Sequence, residues 1–188
     1  MEDFEQPDVP TNGYSTYISG DQLVTPNVWE ITTGSIDLVD KGYGSVGAHS
    51  GWQAVDLTGR APATMETTFP TVTGQPYELH FFYSRNDDVD EASATVSVIG
   101  NTLLLEATFS HSTADGYQDD FESFVGSSTA DSSTTSLRFT SLTGGGTSGH
   151  AGIVIDAIAA TSVIPEPGTL PLLAFGLVCL AWARQRLS

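Results

Sequence analysis

The chain has 188 residues and carries 6 Lys and Arg against 23 Asp and Glu, a formal net charge of −17. A surface this acidic repels nucleic acid and anionic lipid, which argues against a DNA, RNA or lipid-surface role and suits an exported protein that stays soluble or binds divalent cations. The single cysteine, Cys179, lies in an apolar stretch near the C-terminus, so the body forms no internal disulfide and must be held by packing, with or without a metal.

In chain order, Met1-Glu2-Asp3-Phe4-Glu5 has neither a basic region nor an apolar run, so no secretory signal peptide is visible there. Short runs of alternating apolar and polar residues then recur, separated by Gly, Pro, Ser, Thr and Asn, and no stretch before the tail keeps a helical period. The expected strands are 29–33, 36–39, 52–57, 64–69, 77–84, 94–98, 103–109, 121–126, 135–141 and 152–161. The alternation is clearest in Tyr77-Glu78-Leu79-His80-Phe81 and Ser136-Leu137-Arg138-Phe139-Thr140, which read as strands with one apolar face and one wet face. So many short strands in one ordinary domain, residues 1–161, predict an all-β sandwich of jelly-roll type.

The segments between strands hold most of the acid. Asn86-Asp87-Asp88-Val89-Asp90-Glu91 lacks the Gly and distal Glu of an EF-hand loop, so it reads as a solvated turn, as does Tyr117-Gln118-Asp119-Asp120. His49, His80, His111 and His150 stand singly, with no spacing that makes a metal triad. No serine sits in a Gly-x-Ser-x-Gly elbow, and Gly144-Gly145-Gly146 has no Lys-Ser/Thr pair for phosphates. These absences point away from an enzyme. With 23 acidic residues, any proposed pair of glycosidase carboxylates would be uninformative.

The end of the chain is built differently. After a linker over 162–168 that contains Pro165, Glu166 and Pro167, an apolar segment leads to a basic end with Arg184 and Arg186, over 169–188. The apolar run is a few residues shorter than the ~20 a straight helix needs to cross a bilayer, so a span would be marginal; the arginines suit a cytoplasmic face. The two prolines keep the motif extended and open to a protease. This order of triplet, apolar segment and basic tail resembles the PEP-CTERM sorting signal of Gram-negative bacteria. That resemblance implies export, a stay in the inner membrane through a C-terminal hydrophobic helix, cleavage near the motif by an exosortase-type processing protease, and release or attachment at the cell surface. Export with this N-terminus implies a start placed too late or a trimmed precursor, with a cytoplasmic tail-anchored protein as the alternative.

The body carries a second resemblance, in Phe4-Glu5, Trp29-Glu30-Ile31, Gly34-Ser35-Ile36-Asp37-Leu38-Val39, Asp56-Leu57-Thr58-Gly59, Gly74-Gln75-Pro76-Tyr77-Glu78-Leu79-His80-Phe81, the Phe-rich Phe121–Phe124 and Gly149-His150-Ala151-Gly152-Ile153-Val154-Ile155-Asp156. In this order they are similar to the choice-of-anchor C group, with a galactose-binding-like β-sandwich; Met1-Glu2-Asp3 departs from the usual Asn-Gly-Ser before Phe-Glu. The resemblance implies a non-catalytic binding or surface module, a polysaccharide as partner, and a structural calcium held by Glu5 and Asp156 between the first and last strands. Two carboxylates would need further oxygens to fill the shell of 6–8 that calcium takes. The alternative is a pair of edge carboxylates facing solvent.

Sugar binding needs exposed rings that stack on a pyranose. The candidates are Trp52, Tyr43 and Tyr17, against ordinary packing at a loop base, while Trp29 reads as core. The expected function is therefore an exported carbohydrate-binding surface protein, possessing no nucleic-acid role; the alternative is a structural matrix protein without a discrete ligand site.

Overall fold

A computed structural model of the chain describes residues 2–44, 46–144 and 149–163. The linker motif Pro165, Glu166 and Pro167, the expected hydrophobic helix over 169–188 and Arg184 and Arg186 lie outside the described residues. Among the described residues no helix is long and apolar enough to cross a membrane.

Among the described residues, twelve strands make two sheets and every pairing is antiparallel. They are β1 (Tyr14–Ile18), β2 (Gln22–Val24), β3 (Val28–Thr33), β4 (Ser35–Asp40), β5 (Gln53–Asp56), β6 (Thr64–Pro70), β7 (Pro76–Arg85), β8 (Glu91–Ile99), β9 (Leu103–Ser112), β10 (Glu122–Thr129), β11 (Thr134–Ser141) and β12 (Ile153–Ser162). One sheet runs β1-β4-β5-β12-β7-β10 and the other β2-β3-β6-β11-β8-β9. The all-β sandwich expected from the alternation is thus the fold observed, and each expected strand overlaps an observed one. Strands β1 and β2 were not anticipated: Tyr-Ser-Thr-Tyr-Ile and Gln-Leu-Val are short, edge-lying and largely polar, so their alternation is faint. Strand β10 runs to Thr129, three residues beyond the expected end at 126, through a Ser-Ser-Thr run that pairs with Ser-free β7 residues Glu78, Tyr77 and Pro76.

The core between the sheets follows from period-two patterning. Leu79, Phe81 and Tyr83 of β7 point inward, as do Leu137 and Phe139 of β11. Phe81 is the hub of the aromatic packing, with Phe109, Phe124 and Phe139 centroids 5.0, 4.8 and 5.0 Å away. Trp29 is buried as expected, 6.0 Å from Phe139 and 6.1 Å from Phe4. Truncating a ring such as Phe81 would remove contacts worth about 3–5 kcal/mol.

The N-terminal residues form no long strand. Glu2 makes a single antiparallel bridge to Ile158, exchanging backbone bonds of 2.6 and 2.8 Å. Its buried carboxylate accepts from the Phe4 N–H, the Thr25 hydroxyl and the Asn27 amide. Glu2 therefore anchors the N-terminal segment to the sandwich. Gln53 secures the next stretch, accepting from the Val9 N–H at 2.6 Å and donating to the Phe4 carbonyl at 2.7 Å.

Strands β4 and β5 are buried on both faces. Their outer face is closed by residues 41–52, which leave β4 and return into β5. Val46 and Ala48 of this segment pack with Val39, Ala54, Val154 and Phe121 in a second apolar cluster outside the main core. The covering segment creates the site described next.

Candidate functional site

Alternation sends Asp37 and Val39 of β4, Ala54 and Asp56 of β5, and Val154 of β12 to the outer face, while Ile36, Leu38, Val55, Ile153 and Ile155 fill the core. Asp37 stands directly opposite Asp56 in the β4–β5 register. Thr16 of β1 pairs with Asp37 on the other side, and its hydroxyl donates to Asp37 Oδ1 at 2.6 Å. Asp56 is held more tightly: its carboxylate accepts from the Thr58 N–H at 2.9 Å, the Asn86 amide at 2.8 Å and the Gly152 N–H at 3.3 Å.

Above this pair lies a cavity of about 220 Å³, lined by Tyr14, Asp37, Tyr43, Asp56, Asn86, Asp88 and His150, with Val39 and Val46 at its base. Tyr14 and Tyr43 meet edge to face with centroids 4.9 Å apart, and both rings are exposed at the rim. The acidic 86–91 segment is not a fully solvated turn. Arg85 and Asn86 are buried, Arg85 pairs with Asp87 at 2.8 Å, and Asn86 Oδ1 accepts the Asp88 N–H, which places Asp88 beside the cavity. The Tyr117–Asp120 turn is likewise tied down, since Gln118 accepts from Ser84 through its carbonyl and donates to Gly44.

Burial pushes the Asp37 carboxyl above the usual carboxylate range, against the opposing pulls of the Thr16 hydroxyl, His150 and Arg60. Burial also pushes Asp56 up to about 7, with Asp37 adding to the rise while the Asn86, Thr58 and Gly152 bonds oppose it. Desolvation thus outweighs the hydrogen bonds at both carboxylates.

Of the three aromatic candidates, the structure brings one to this cavity. Tyr43 lines it. Trp52 is 63% exposed just before β5 and stands at a separate shallow cleft with Asp40, Lys41 and Asp119. One face of its indole carries the Lys41 ammonium, 3.7 Å from the ring centroid. Tyr17 pairs with Ile36 on the inner side of β1 and packs against the main core, so it does not share a surface with Tyr43. Tyr14, Asp37 and Asp56 were not singled out from sequence as site residues. Their signal was an aspartate set inside each of two apolar runs, Ile36-Asp37-Leu38 and Val55-Asp56-Leu57, and no local pattern says that those runs are neighbours.

The other sequence-derived pair, Glu5 and Asp156, does meet at the 49–53 segment. Glu5 Oε1 accepts the N–H groups of Trp52 and Gln53 at 2.8 and 3.0 Å, and Asp156 Oδ2 accepts the N–H of Ser50 at 2.8 Å. Gly51 lies between them with φ +62, and a Cβ there would stand 2.3 Å from Glu5 Oε1. Burial pushes Asp156 up to about 7, opposed by backbone N–H bonds from Ser50, Ala157 and His49 and reinforced by the charge of Glu5. The pair is therefore not two carboxylates facing solvent. Its donors are oxygens only, which suits a hard cation, but among the described residues no three Asp, Glu, His or Cys side chains gather as a metal set. A cation here would take Glu5 and Asp156 and complete its shell with backbone carbonyls or water.

The histidines are less scattered than they read. His49 stacks on Phe82 at 3.4 Å and 10°, and His80 meets the same ring edge-on at 4.7 Å. Burial and the neighbouring His80 lower the His49 pKa.

Residues 163–185 match the model of the PEP-CTERM protein-sorting motif. No curated protein matches the chain. Among solved structures, the CBM22-1 xylan-binding domain from Paenibacillus barcinonensis Xyn10C is similar at 16% identity and a TM-score of 0.50, over 88% of this chain and 94% of that one. A family 35 carbohydrate-binding module from Clostridium thermocellum aligns at 12% identity and a TM-score of 0.47, over 80% of this chain and 99% of that one. At these identities the likeness is one of fold: the body is a carbohydrate-binding-module type of two-sheet β-sandwich, galactose-binding-like in its architecture.

Proposed function

We propose that this chain is an exported, non-catalytic polysaccharide-binding protein, processed at its tail by an exosortase-type protease and delivered to the cell surface or its matrix. The sorting motif at 163–185 supports a precursor that is anchored in the membrane and sorted to the surface. The observation that carries the binding reading is the cavity itself: two exposed tyrosine rings in edge contact stand over buried carboxylate and amide groups. Rings offer the apolar face of a sugar a stacking surface, and Asp37, Asn86 and Asp88 offer its hydroxyls hydrogen-bond partners. A matrix protein acting only through hydration would have no use for such a concave site.

Calcium belongs to this proposal as a structural ion at Glu5 and Asp156. When bound, it would supply positive charge to two acids whose partners are backbone N–H groups and the Ser50 hydroxyl, and so join the N-terminal segment to β12.

The test is a glycan array probed with the full chain, kept soluble in a detergent that has no sugar headgroup, followed by titration of any hit. Tyr43→Ala and Tyr14→Ala should weaken binding roughly tenfold with little change in melting temperature, because both rings are exposed. Tyr17→Ala should do the reverse and lower stability while sparing affinity. An array with no hit, or a hit indifferent to both rim tyrosines, would refute the reading.

A further inference from the structure

We propose that Trp52 and the cleft beside it form a second carbohydrate subsite, for neutral pyranoses, and that this subsite and the tyrosine cavity hold one polysaccharide chain at two points. The proposal rests on the reading that the tyrosine cavity binds a glycan, and it adds the place where the same glycan is held again.

The first observation is the state of the indole. Trp52 is 63% exposed, whereas the other described tryptophan, Trp29, is buried. The exposed ring is nevertheless fixed. Lys41, the only lysine in the sequence, lays its ammonium 3.7 Å from the ring centroid and donates to the Gly51 carbonyl at 3.0 Å. The backbone beneath is tied on both sides: the Trp52 N–H donates to Glu5 Oε1 at 2.8 Å, and its carbonyl accepts the Lys41 N–H at 2.8 Å. The cation covers one face of the indole, and the exposure belongs to the other. A large apolar face already held in place loses little freedom when a ligand stacks on it, so more of the stacking energy appears as affinity.

The second observation is what surrounds the ring. The cleft measures about 530 Å³, within the roughly 300–1,000 Å³ of small-ligand sites. Besides Trp52, its lining has one apolar side chain, Ala48, while Thr11, Asn12, Asp40 and Asp119 supply hydroxyl, amide and carboxylate groups. A ring that anchors a protein partner stands at the centre of an apolar patch. One flat ring among polar groups instead matches a pyranose, which has an apolar C–H face and a rim of hydroxyls. Asp40 and Asp119 repel a uronate, and the Lys41 ammonium already on the ring leaves no cation–π gain for an amino sugar, so the cleft suits a neutral one.

The third observation is placement. Asp40, Lys41, Gly42 and Tyr43 make one turn at the end of β4, closed by the Tyr43 N–H on the Asp40 carbonyl at 2.9 Å. Tyr43 lines the tyrosine cavity, Asp40, Lys41 and Gly42 line the cleft of Trp52, and the two linings share no residue. The ends of such a turn lie less than about 7 Å apart, so the subsites are neighbours across it. A glycan held on both sides of the turn escapes only when both sides let go, and it binds more tightly than a fragment that fills one.

The test is isothermal titration of the full chain, in the same sugar-free detergent, against β-1,4-linked disaccharides and hexasaccharides of glucose, galactose, mannose and xylose, with hexagalacturonate as the acidic counterpart. At least one neutral hexasaccharide should bind roughly tenfold tighter than its own disaccharide and than hexagalacturonate. Trp52→Ala and Tyr43→Ala should each bring that hexasaccharide back near the affinity of the disaccharide, with little change in melting temperature because both rings are exposed. Trp52→Phe, which keeps a ring, should recover most of the loss. Indole fluorescence should shift on hexasaccharide binding, and Trp52→Phe should remove the shift. Binding that is indifferent to Trp52→Ala but lost in Tyr43→Ala would overturn the second subsite and leave the cavity standing. Binding lost in Trp52→Ala but indifferent to Tyr43→Ala would overturn the two-point hold and refute the cavity reading with it. A hexasaccharide no tighter than its disaccharide would also overturn the two-point hold, and equal binding of hexagalacturonate would overturn the neutral class. Binding of none of the neutral sugars would remove both subsites.

Discussion

Asp37 of β4 and Asp56 of β5 face each other across one antiparallel register pair, on the outer side of their sheet, and both are buried. On an open sandwich such a position would be wet, and two acids there would need no explanation. Here residues 41–52 close over the neighbouring Val39 and Ala54. Asp37 is held by Thr16, and Asp56 by Thr58, Asn86 and Gly152, away from water, and the cavity and part of the chain's pH response follow from that desolvation.

The first consequence is a stability that declines toward neutral pH. Burial lifts Asp56 and Asp156 from 3.8 to about 7 in the folded chain. Below the unfolded value both states hold the protons and the folded state suffers no charge burial. As pH rises, the unfolded chain releases them first, so stability is lost progressively until the folded groups ionise near 7. Each unit of raised pKa corresponds to about 1.4 kcal/mol. In the presence of chelator, the melting temperature should fall by several degrees between about pH 5 and about pH 8. Asp56→Asn should flatten part of the slope. Asp115 and Asp131, held low mainly by hydrogen bonds from Ser112 and Thr102, act in the opposite sense only at more acid pH. A melting temperature that is level or rises over this range contradicts the account.

Calcium, if held by Glu5 and Asp156, should raise the melting temperature by several degrees over excess chelator, and the gain should vanish in Glu5→Ala and in Asp156→Ala. It should also remove the share of the pH slope that belongs to Asp156, because a bound cation favours the ionised carboxylate. Identical melts with calcium and with chelator would leave the two carboxylates as anchors of the 49–53 backbone and nothing more.

Gly51 allows a sharper test of that anchoring. Its φ of +62 and the 2.3 Å approach of Glu5 Oε1 to a hypothetical Cβ make Gly51→Ala strained in two ways. Gly74 has φ +83 with nothing within 4 Å, so Gly74→Ala carries the backbone strain alone. Denaturant unfolding should show a loss of about 1–3 kcal/mol at Gly51 and a smaller loss at Gly74. Equal losses would mean that the Glu5 contact contributes nothing.

For the tail, Glu166→Ala in a host that carries an exosortase-type protease should leave the precursor uncut. Intact-mass measurement of the membrane fraction would then find the full chain, where the unaltered protein yields a shortened, released or surface-bound product. Equal cleavage of both would show that the Pro-Glu-Pro triplet is not what the protease reads.

Much of this molecule was legible in the residues before any tertiary contact was known. A half-buried strand writes its burial into every second residue, so Leu79, Phe81 and Tyr83, or Leu137 and Phe139, declare a strand and its inner face within a single short window. The tail is legible for a similar reason, since triplet, apolar run and arginines follow one another along the chain. Glu5 and Asp156 could be paired only through a resemblance, and the structure brings them to the same loop.

What needed the tertiary structure is what depends on a third element. Strands β4 and β5 hold Asp37 and Asp56 in ordinary alternating positions, and their sequence is compatible with a wet outer face. Thr16 of β1 closes on Asp37, Thr58, Asn86 and Gly152 close on Asp56, and the β1 pairing brings Tyr14 beside Tyr43. Tyr17 and Tyr14 look interchangeable in a run of Tyr-Ser-Thr-Tyr, yet the register sends one to the core and the other to the cavity rim. Periodicity is a local property and survives in one dimension, whereas the cover over a sheet face is a contact between distant segments and leaves no local mark.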